Sequence, residues 1–362
     1  MQNKITSILK KESLNRDDLI LLLSANPSET ELIYQKAAEI KSKHIGNFTY
    51  FRGLIELSNV CTKNCYYCGI RKGNTKVQRY TVTDDEVLQV VRYALDRNWG
   101  SIVIQSGERQ DAKFIDRIEG LLKKIQALSS KKVGVTLSLG EQKIETYDRW
   151  LEAGATRYLV RIETSNQDLF YKIHPKDKLH DFELRKQALK DLQKAGYMTG
   201  TGVMIGLPYQ TMGDLADDLL FMKEYDIDMC GMGPYIEHED TPLYRYSDIL
   251  LPVNERFDLT LKMIAVLRIL MKDVNIASAT ALQAINPDGR EEGIRCGANV
   301  IMPNITPVKY HDAYNLYKGK PQIVDETDEY IRKLEEQINE AGDEVGYGEL
   351  GDPLHFKYRT EP

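Results

Sequence analysis

From residue 48 onward the chain alternates between two kinds of hydrophobic pattern. Short apolar runs bounded by polar or glycine-containing stretches read as buried strands: FRGLIELS (51–58), SIVIQS (101–106), VGVTLSL (133–139), RYLVRIE (157–163), TGTGVMIGL (199–207), DMCGMGP (228–234), VNIASAT (274–280) and ANVIMP (298–303). Between most of them lie longer segments with apolar residues three and four positions apart, the spacing of one helix face. DDEVLQVVRYALDRN, TMGDLADDLLFMKEYD and NERFDLTLKMIAVLRILMK are the clearest. Eight such strand-then-helix units point to an α/β fold, a (β/α)8 barrel, with a doubly wound open sheet as the alternative. Ahead of them, SLNRDDLILLLSAN and PSETELIYQKAAEIKSKHIG read as helices, the second starting at Ser28-Glu29-Thr30-Glu31 after Pro27. The expected division is a helical extension over 1–47, a barrel over 48–322, and a C-terminal helix and tail over 323–362.

A barrel places its chemistry at the C-terminal ends of the strands and in the loops that follow. Those loops read SNVCTKNCYYCG, QSGERQ, SLGEQ, RIETSN, GLPYQT, GPYIEHEDTP, ATALQAINPDG and PNITPVKYHD. The first holds three of the chain's five cysteines, Cys61, Cys65 and Cys68, spaced C-x3-C-x2-C. An odd number of cysteines, three of them clustered, does not describe a secreted disulfide framework. Thiolates suit zinc or an iron–sulfur cluster. No fourth cysteine is near, since Cys230 and Cys296 are isolated, and no histidine follows at zinc-finger spacing. Three thiolates leave one position of a four-iron cluster open, as a reactive site requires. Zinc with a distant fourth ligand, or three plain thiols, are the other readings.

Composition narrows the class. The chain has 362 residues, 42% hydrophobic and 28% charged, with a net charge of −6, so it is globular and shows no basic excess for nucleic acid. No apolar stretch reaches membrane-spanning length, and the N-terminus lacks a signal-peptide core. The expectation is a cytoplasmic protein, with neither nucleic acid nor membrane as partner.

Cysteines spaced C-x3-C-x-aromatic-C after a first strand resemble the radical S-adenosylmethionine (SAM) superfamily, here Cys61, Cys65, Tyr67 and Cys68. The resemblance implies a [4Fe–4S] cluster on the three cysteines, its open iron chelating SAM. One electron then cleaves SAM to methionine and a 5′-deoxyadenosyl radical. Gln105-Ser106-Gly107-Glu108 resembles the glycine-containing element that meets the SAM amino group. Glycine there lets backbone carbonyls approach a cation. Gly206-Leu207-Pro208-Tyr209-Gln210-Thr211 resembles an element near the adenine, and Arg185 would meet the SAM carboxylate. The SAM-binding set so implied is Tyr67, Gln105, Ser106, Gly107, Glu108, Ser138, Glu163, Arg185, Met204, Gly206 and Leu207.

Strand alternation puts Arg157, Leu159, Arg161 and Glu163 on one face, and charged groups inside a barrel need partners or ligands. Two arginines suggest an anion; an internal Arg161–Glu163 ion pair is the plainer reading. Thr136 and Ser138 are assigned inward, with Val135, Leu137 and Leu139 toward the helices. Gly200, Gly202, Met204 and Gly206 share another inward face, and Ser278 and Thr280 a third. The interior is expected to be hollow and partly polar, suited to a small anionic or polar substrate.

The likeness extends over nearly the whole chain, through YFRGLIELSNVCTKNCYYCGIR, IVIQSGE, VTLSLGE, RYLVRIETSN, GLPYQT, DDLLFMKEYDIDM, GPYIEHEDTPL and RCGANVIMPNITP followed by YNLY. These resemble the HydE family of [FeFe]-hydrogenase maturases, itself similar to biotin synthase and methylornithine synthase. The family implies an organometallic substrate, Fe(CO)2(CN)(Cys), made by HydG. The radical attacks its sulfur, and the product goes toward HydF. An electron donor is implied too. Thr136, Arg157, Arg161, Thr280, Met302 and Tyr317 match the family's cavity positions. Some members carry histidine where this chain has Ile162, which alternation turns away from the cavity. Some carry a second, C-terminal cysteine cluster; this tail has no cysteine, so none is expected. A methylornithine-synthase-like mutase on a small amino-acid-like substrate, and a non-enzymatic iron–sulfur carrier, are the alternatives.

Overall fold

The computed structural model describes residues 2–321 and 328–361, so the expected boundary at 322/323 lies outside the described residues. Among the described residues ten parallel strands run β1 (Phe48–Ser58), β2 (Ser101–Ser106), β3 (Gly134–Ser138), β4 (Ala155–Leu159), β5 (Met198–Thr201), β6 (Met204–Ile205), β7 (Met229–Pro234), β8 (Asn275–Ser278), β9 (Val300–Ile301) and β10 (Glu344–Val345). The order β1-β2-β3-β4-β5-β7-β8-β9 closes when β9 returns to β1, with Tyr50 opposite Val300 and Phe51 opposite Ile301. β6 continues the line of β5 and pairs with β7, Met204 opposite Gly233. The result is the expected eight-stave (β/α)8 barrel. All eight strands read from the sequence are present, within a few residues at each end.

Helices form where caps and apolar stripes agree. Asp84–Asp96 starts at Thr83, whose side chain accepts from the Glu86 N–H while Glu86 reaches back to the Thr83 N–H. Its buried face is Val87, Val90, Val91 and Ala94, at helical spacing. The same reciprocal cap opens Pro27–His44 at Asn26 and Glu29, with Pro27 as the first helical residue. The main core lies between strands and helices. Ile102, Ile104, Val135, Leu137 and Tyr158 face outward onto Leu122, Tyr147 and Trp150.

The N-terminal helices Arg16–Leu23 and Pro27–His44 cover the outer helices Met212–Glu224 and Val253–Leu270 and bury Leu19, Leu22, Leu23 and Ile33. The C-terminal segment returns to the N-terminal end of the barrel. β10 pairs with the start of β1, and Lys41 meets Asp343 in a buried ion pair at 2.6 Å. Residues 350–352 then close the barrel floor. Arg52 Nη2 donates to the Gly351 carbonyl (2.9 Å), Asn275 Nδ2 to the same oxygen (2.8 Å), and Arg157 Nη1 to the Leu350 carbonyl (3.0 Å). No helix among the described residues is long and apolar enough to cross a membrane.

Candidate active site

A cavity of about 660 Å³ opens inside the C-terminal mouth of the barrel. Cys61, Cys65 and Cys68 line it, on the loop that leaves β1. That loop is pinned on every side. The Thr62 N–H donates to the Glu108 carbonyl (2.9 Å), Tyr66 N–H to Ile173 (2.9 Å), Leu243 N–H to Tyr66 (3.0 Å) and Gly69 N–H to Leu316 (3.0 Å). Asn64 N–H donates to His180 Nε2 at 2.9 Å, which leaves the other ring nitrogen to donate to Asp177 at 2.7 Å. A side chain at Gly69 would stand 2.1 Å from the Asn315 carbonyl oxygen, so glycine is required there by space alone.

Tyr67 also lines the cavity, and its hydroxyl lies 3.2 Å from His174 Nε2. Burial holds the His174 imidazole down at about 3, so the ring is neutral at ordinary pH. Its Nδ1 lies 3.0 Å from the Phe170 carbonyl and carries the proton, so Nε2 accepts from Tyr67.

Behind the thiols stands a charged frame. Arg185 Nη1 donates to Glu108 Oε1 (2.7 Å) and Glu141 Oε1 (2.9 Å), and its Nε donates to the Arg161 carbonyl (2.9 Å). Lys63 adds a second cation, 3.1 Å from Glu141 and 3.7 Å from Glu108. Burial pushes the Glu108 carboxyl up, but Arg185 and Lys63 outweigh it and hold the group at about 2. On the adjacent wall Arg161 forms a two-pronged pair with Glu163, both contacts 2.9 Å, and donates to the carbonyls of Gly231 and Val203. The plainer reading of these two residues is therefore correct, and both still face the cavity. Glu163 adopts φ of +65°, a left-handed backbone that a carboxylate residue rarely takes, four residues past the end of β4, where it bridges to Val203.

Most of the expected residues come together. Gln105, Ser106, Gly107, Glu108, Ser138, Glu163, Arg185 and Met204 line this cavity with Tyr67, as do Arg161, Thr280, Met302 and Tyr317. Four do not. Thr136 and Arg157 lie below it: Arg157 is fully buried and donates to Thr136 Oγ1 (3.1 Å) and Ser101 Oγ (2.7 Å), and pairs with Asp352. They face inward as alternation requires, but from the middle of their strands, where Arg157 reaches down to the floor that residues 350–352 seal. Gly206 and Leu207 lie behind the wall. The turn folds around Gln210, whose Oε1 accepts from both their N–H groups (2.7 and 3.2 Å), and Leu207 packs with Tyr66, Tyr67 and Tyr235. Ser278 also departs from expectation: it faces the helix layer and donates to the Arg290 carbonyl (2.8 Å), while Ala277 and Ala279 face the cavity. The strand read as 274–280 ends at Ser278, so Thr280 reaches the cavity from the first turn of a helix. Ile162 is fully buried in the core, away from the cavity.

Several lining residues went unread in the sequence. Lys63 and Glu141 were visible in the strand-end loops, within CTKNC and SLGEQ, but nothing there shows that they share Arg185 and Glu108. Arg290 and Glu56 gave no signal, because a helix arginine in GREEG and a strand glutamate read as surface charges.

The donor set fits a cluster better than a lone ion. Burial raises all three thiols. Cys68 is pushed to about 12, with Cys61 adding to the effect, and Cys65 is raised well above the ordinary thiol value by burial, its two neighbours and Glu108. Thiolates would gather here only around a strongly cationic centre. Among the described residues no three His, Cys, Asp or Glu side chains converge on a single metal position. Thiolates that each ligate a different iron need not converge. The Glu108 N–H also points to Cys61 Sγ at 3.3 Å, a hydrogen bond suited to a cluster thiolate.

The model of the radical SAM superfamily matches residues 55–222, the half-barrel that carries the cysteines and the charged frame. The [FeFe] hydrogenase maturase subunit HydE of Thermotoga maritima is 46% identical over 88% of this chain and 88% of its own. This chain belongs to the HydE family. Its fold and cofactors follow: a radical SAM enzyme with a [4Fe–4S] cluster and SAM. The HydE family shares its barrel widely. Biotin synthase of Geobacillus kaustophilus is 27% identical over 78% of this chain and 83% of its own. The crystal structure of methylornithine synthase superposes with a TM-score of 0.80 at 21% identity, covering 95% of this chain and 98% of that one. At that identity the likeness is one of fold.

Proposed function

We propose that this chain performs the HydE step of [FeFe]-hydrogenase maturation, acting in the barrel cavity on a small organometallic complex, Fe(CO)2(CN)(Cys). One observation carries the reading: the three thiols, the Arg185–Glu108–Glu141–Lys63 frame and the Arg161–Glu163 pair share one chamber large enough for SAM and a small substrate. Cys61, Cys65 and Cys68 would hold the cluster. When bound, the cluster and SAM supply the one-electron cleavage that yields methionine and a 5′-deoxyadenosyl radical.

The chain's own residues then have distinct tasks. The Glu108 and Gly107 backbone sits against Cys61, and a side chain at Gly107 would lie 2.5 Å from the Val60 carbonyl oxygen, so close approach of the two loops depends on glycine. Glu108, Ser106 and Glu163 offer acceptors for an ammonium and ribose hydroxyls, and Arg185 a donor for a carboxylate. Arg161, Thr280, Met302 and Tyr317 border the space left for substrate. Lys320, from the segment after β9, pairs with the buried Glu56 and helps close the chamber, which keeps bulk water from a carbon radical. HydG as supplier, HydF as recipient and a reductant complete the expected set of partners.

The test is anaerobic. Reconstituted protein with dithionite and SAM should release 5′-deoxyadenosine, and Cys65→Ala should release none. Turnover of SAM without any effect of HydG product would favour a mutase acting on another amino-acid-like substrate. An iron-loaded protein that leaves SAM intact would favour a carrier.

A further inference from the structure

The cations that line the cavity are not equivalent. Lys63, Arg161, Arg185 and Lys320 each have a carboxylate partner. Arg290 has none among the described residues. It is only 4% exposed and lines the cavity from the helix Gly289–Arg295. Its Nη2 donates to Thr280 Oγ1 (3.0 Å), its Nη1 to the Tyr330 hydroxyl (3.2 Å), and its buried Nε has no partner among the described residues. Burying a guanidinium against two neutral hydroxyls is unfavourable unless an anion completes the site. The Thr280 hydroxyl accepts from Arg290 through its oxygen, so its own proton is free to donate in the same direction. Tyr317 lies on the same lining.

We propose that Arg290, with Thr280 beside it, anchors a carboxylate of the substrate and restricts the cavity to small carboxylate-bearing molecules. The proposal rests on the reading that this cavity is the substrate chamber. One buried guanidinium matches one negative charge, and the N–H that Nη2 keeps beside its bond to Thr280, together with the Thr280 hydroxyl, matches the two oxygens of a carboxylate. A phosphate dianion would need a second unpaired cation, and the other lining cation without a carboxylate among the described residues, Lys333, is exposed to solvent.

The experiment is calorimetric titration of the cluster-loaded, SAM-bound protein with two probes that differ by the carboxylate alone, S-methyl-L-cysteine and 2-(methylthio)ethylamine. A charge-assisted hydrogen bond to a buried group predicts that the wild type prefers the acid by about tenfold or more. Arg290→Gln should erase that preference, and Arg290→Lys should keep part of it. No preference in the wild type, or a preference that survives in Arg290→Gln, overturns the proposal. So does tighter binding of inorganic phosphate than of the amino acid. Should Arg290→Gln fail to load its cluster, Thr280→Val decides: the preference must fall severalfold, and an unchanged preference overturns the proposal. SAM cleavage by the same wild-type sample separates the two levels. Its absence removes the radical SAM reading, whereas its presence without carboxylate discrimination removes this proposal alone.

Discussion

Replacing Arg185 with methionine removes the guanidinium that joins Glu108 to Glu141 and leaves two buried carboxylates to a single Lys63. Glu108 measures the cost. Its carboxyl sits at about 2 instead of the ordinary 4.5. At about 1.4 kcal/mol per pKa unit, that difference corresponds to at most about 3 kcal/mol of stabilisation, which Arg185 shares with Lys63. Breaking a buried ion pair by removing one partner costs about 3–5 kcal/mol, which agrees. Unfolding entropy of about 2 cal/mol/K per residue turns 3 kcal/mol into a fall of about 4 °C in Tm for a chain of this length. The effect has a definite pH dependence. A carboxylate whose folded value is depressed adds stability above its unfolded value, near 4.5, and loses it as pH falls toward 2. The deficit of Arg185→Met should therefore be full at pH 7 and shrink below pH 4.5. The assay is anaerobic thermal melting of cluster-loaded protein by circular dichroism at pH 7 and pH 4, with the double variant Arg185→Met/Glu108→Gln as control. Neutralising Glu108 should restore part of the loss. A Tm change under 1 °C at pH 7, or a deficit that grows in acid, would refute the reasoning.

Three further outcomes follow from other parts of the structure. Gly107→Ala forces a methyl to within 2.8 Å of Cys61 Cβ, an overpacking of about 1–3 kcal/mol that should lower iron per chain after reconstitution; full loading would contradict the packing argument. Asp343→Asn strips the buried Lys41 of its counter-ion, and should cost about 3 kcal/mol in urea unfolding, against under 1 kcal/mol if the tail were a loose appendage. His355 is raised to about 9 because its bonds to Asp273 and Asp226 outweigh burial. Its stabilisation is complete below pH 6.5 and lost as pH rises through 9, so the wild-type Tm should fall more than that of His355→Gln between those values.

The barrel was legible because its strands are buried on both faces and its helices carry caps and stripes, signals that are local. The cysteine loop was legible for the same reason: its spacing lies within eight residues. Alternation assigned β3 and β4 to the correct faces, yet it carries no information about depth. Thr136 and Arg157 therefore looked like cavity residues although they lie at the floor. Ser278 failed differently. β8 ends there, and the change from strand to helix moves Thr280 inward while Ser278 turns out toward Arg290. What closes the floor was hidden, because Leu350, Gly351 and Asp352 act from some 200 positions away from Arg157. Arg290 was hidden by its company: beside two glutamates it reads as surface, and only the fold shows it buried with no carboxylate partner among the described residues.

The most direct test of the central claim is a defined maturation assay. Cluster-loaded protein would take the place of HydE among HydG, HydF, SAM, a reductant and apo-hydrogenase, with hydrogen evolution as the readout. The account predicts hydrogen evolution that requires SAM and disappears with Cys65→Ala. No hydrogen, from protein that demonstrably carries its cluster and cleaves SAM, would contradict the maturase assignment.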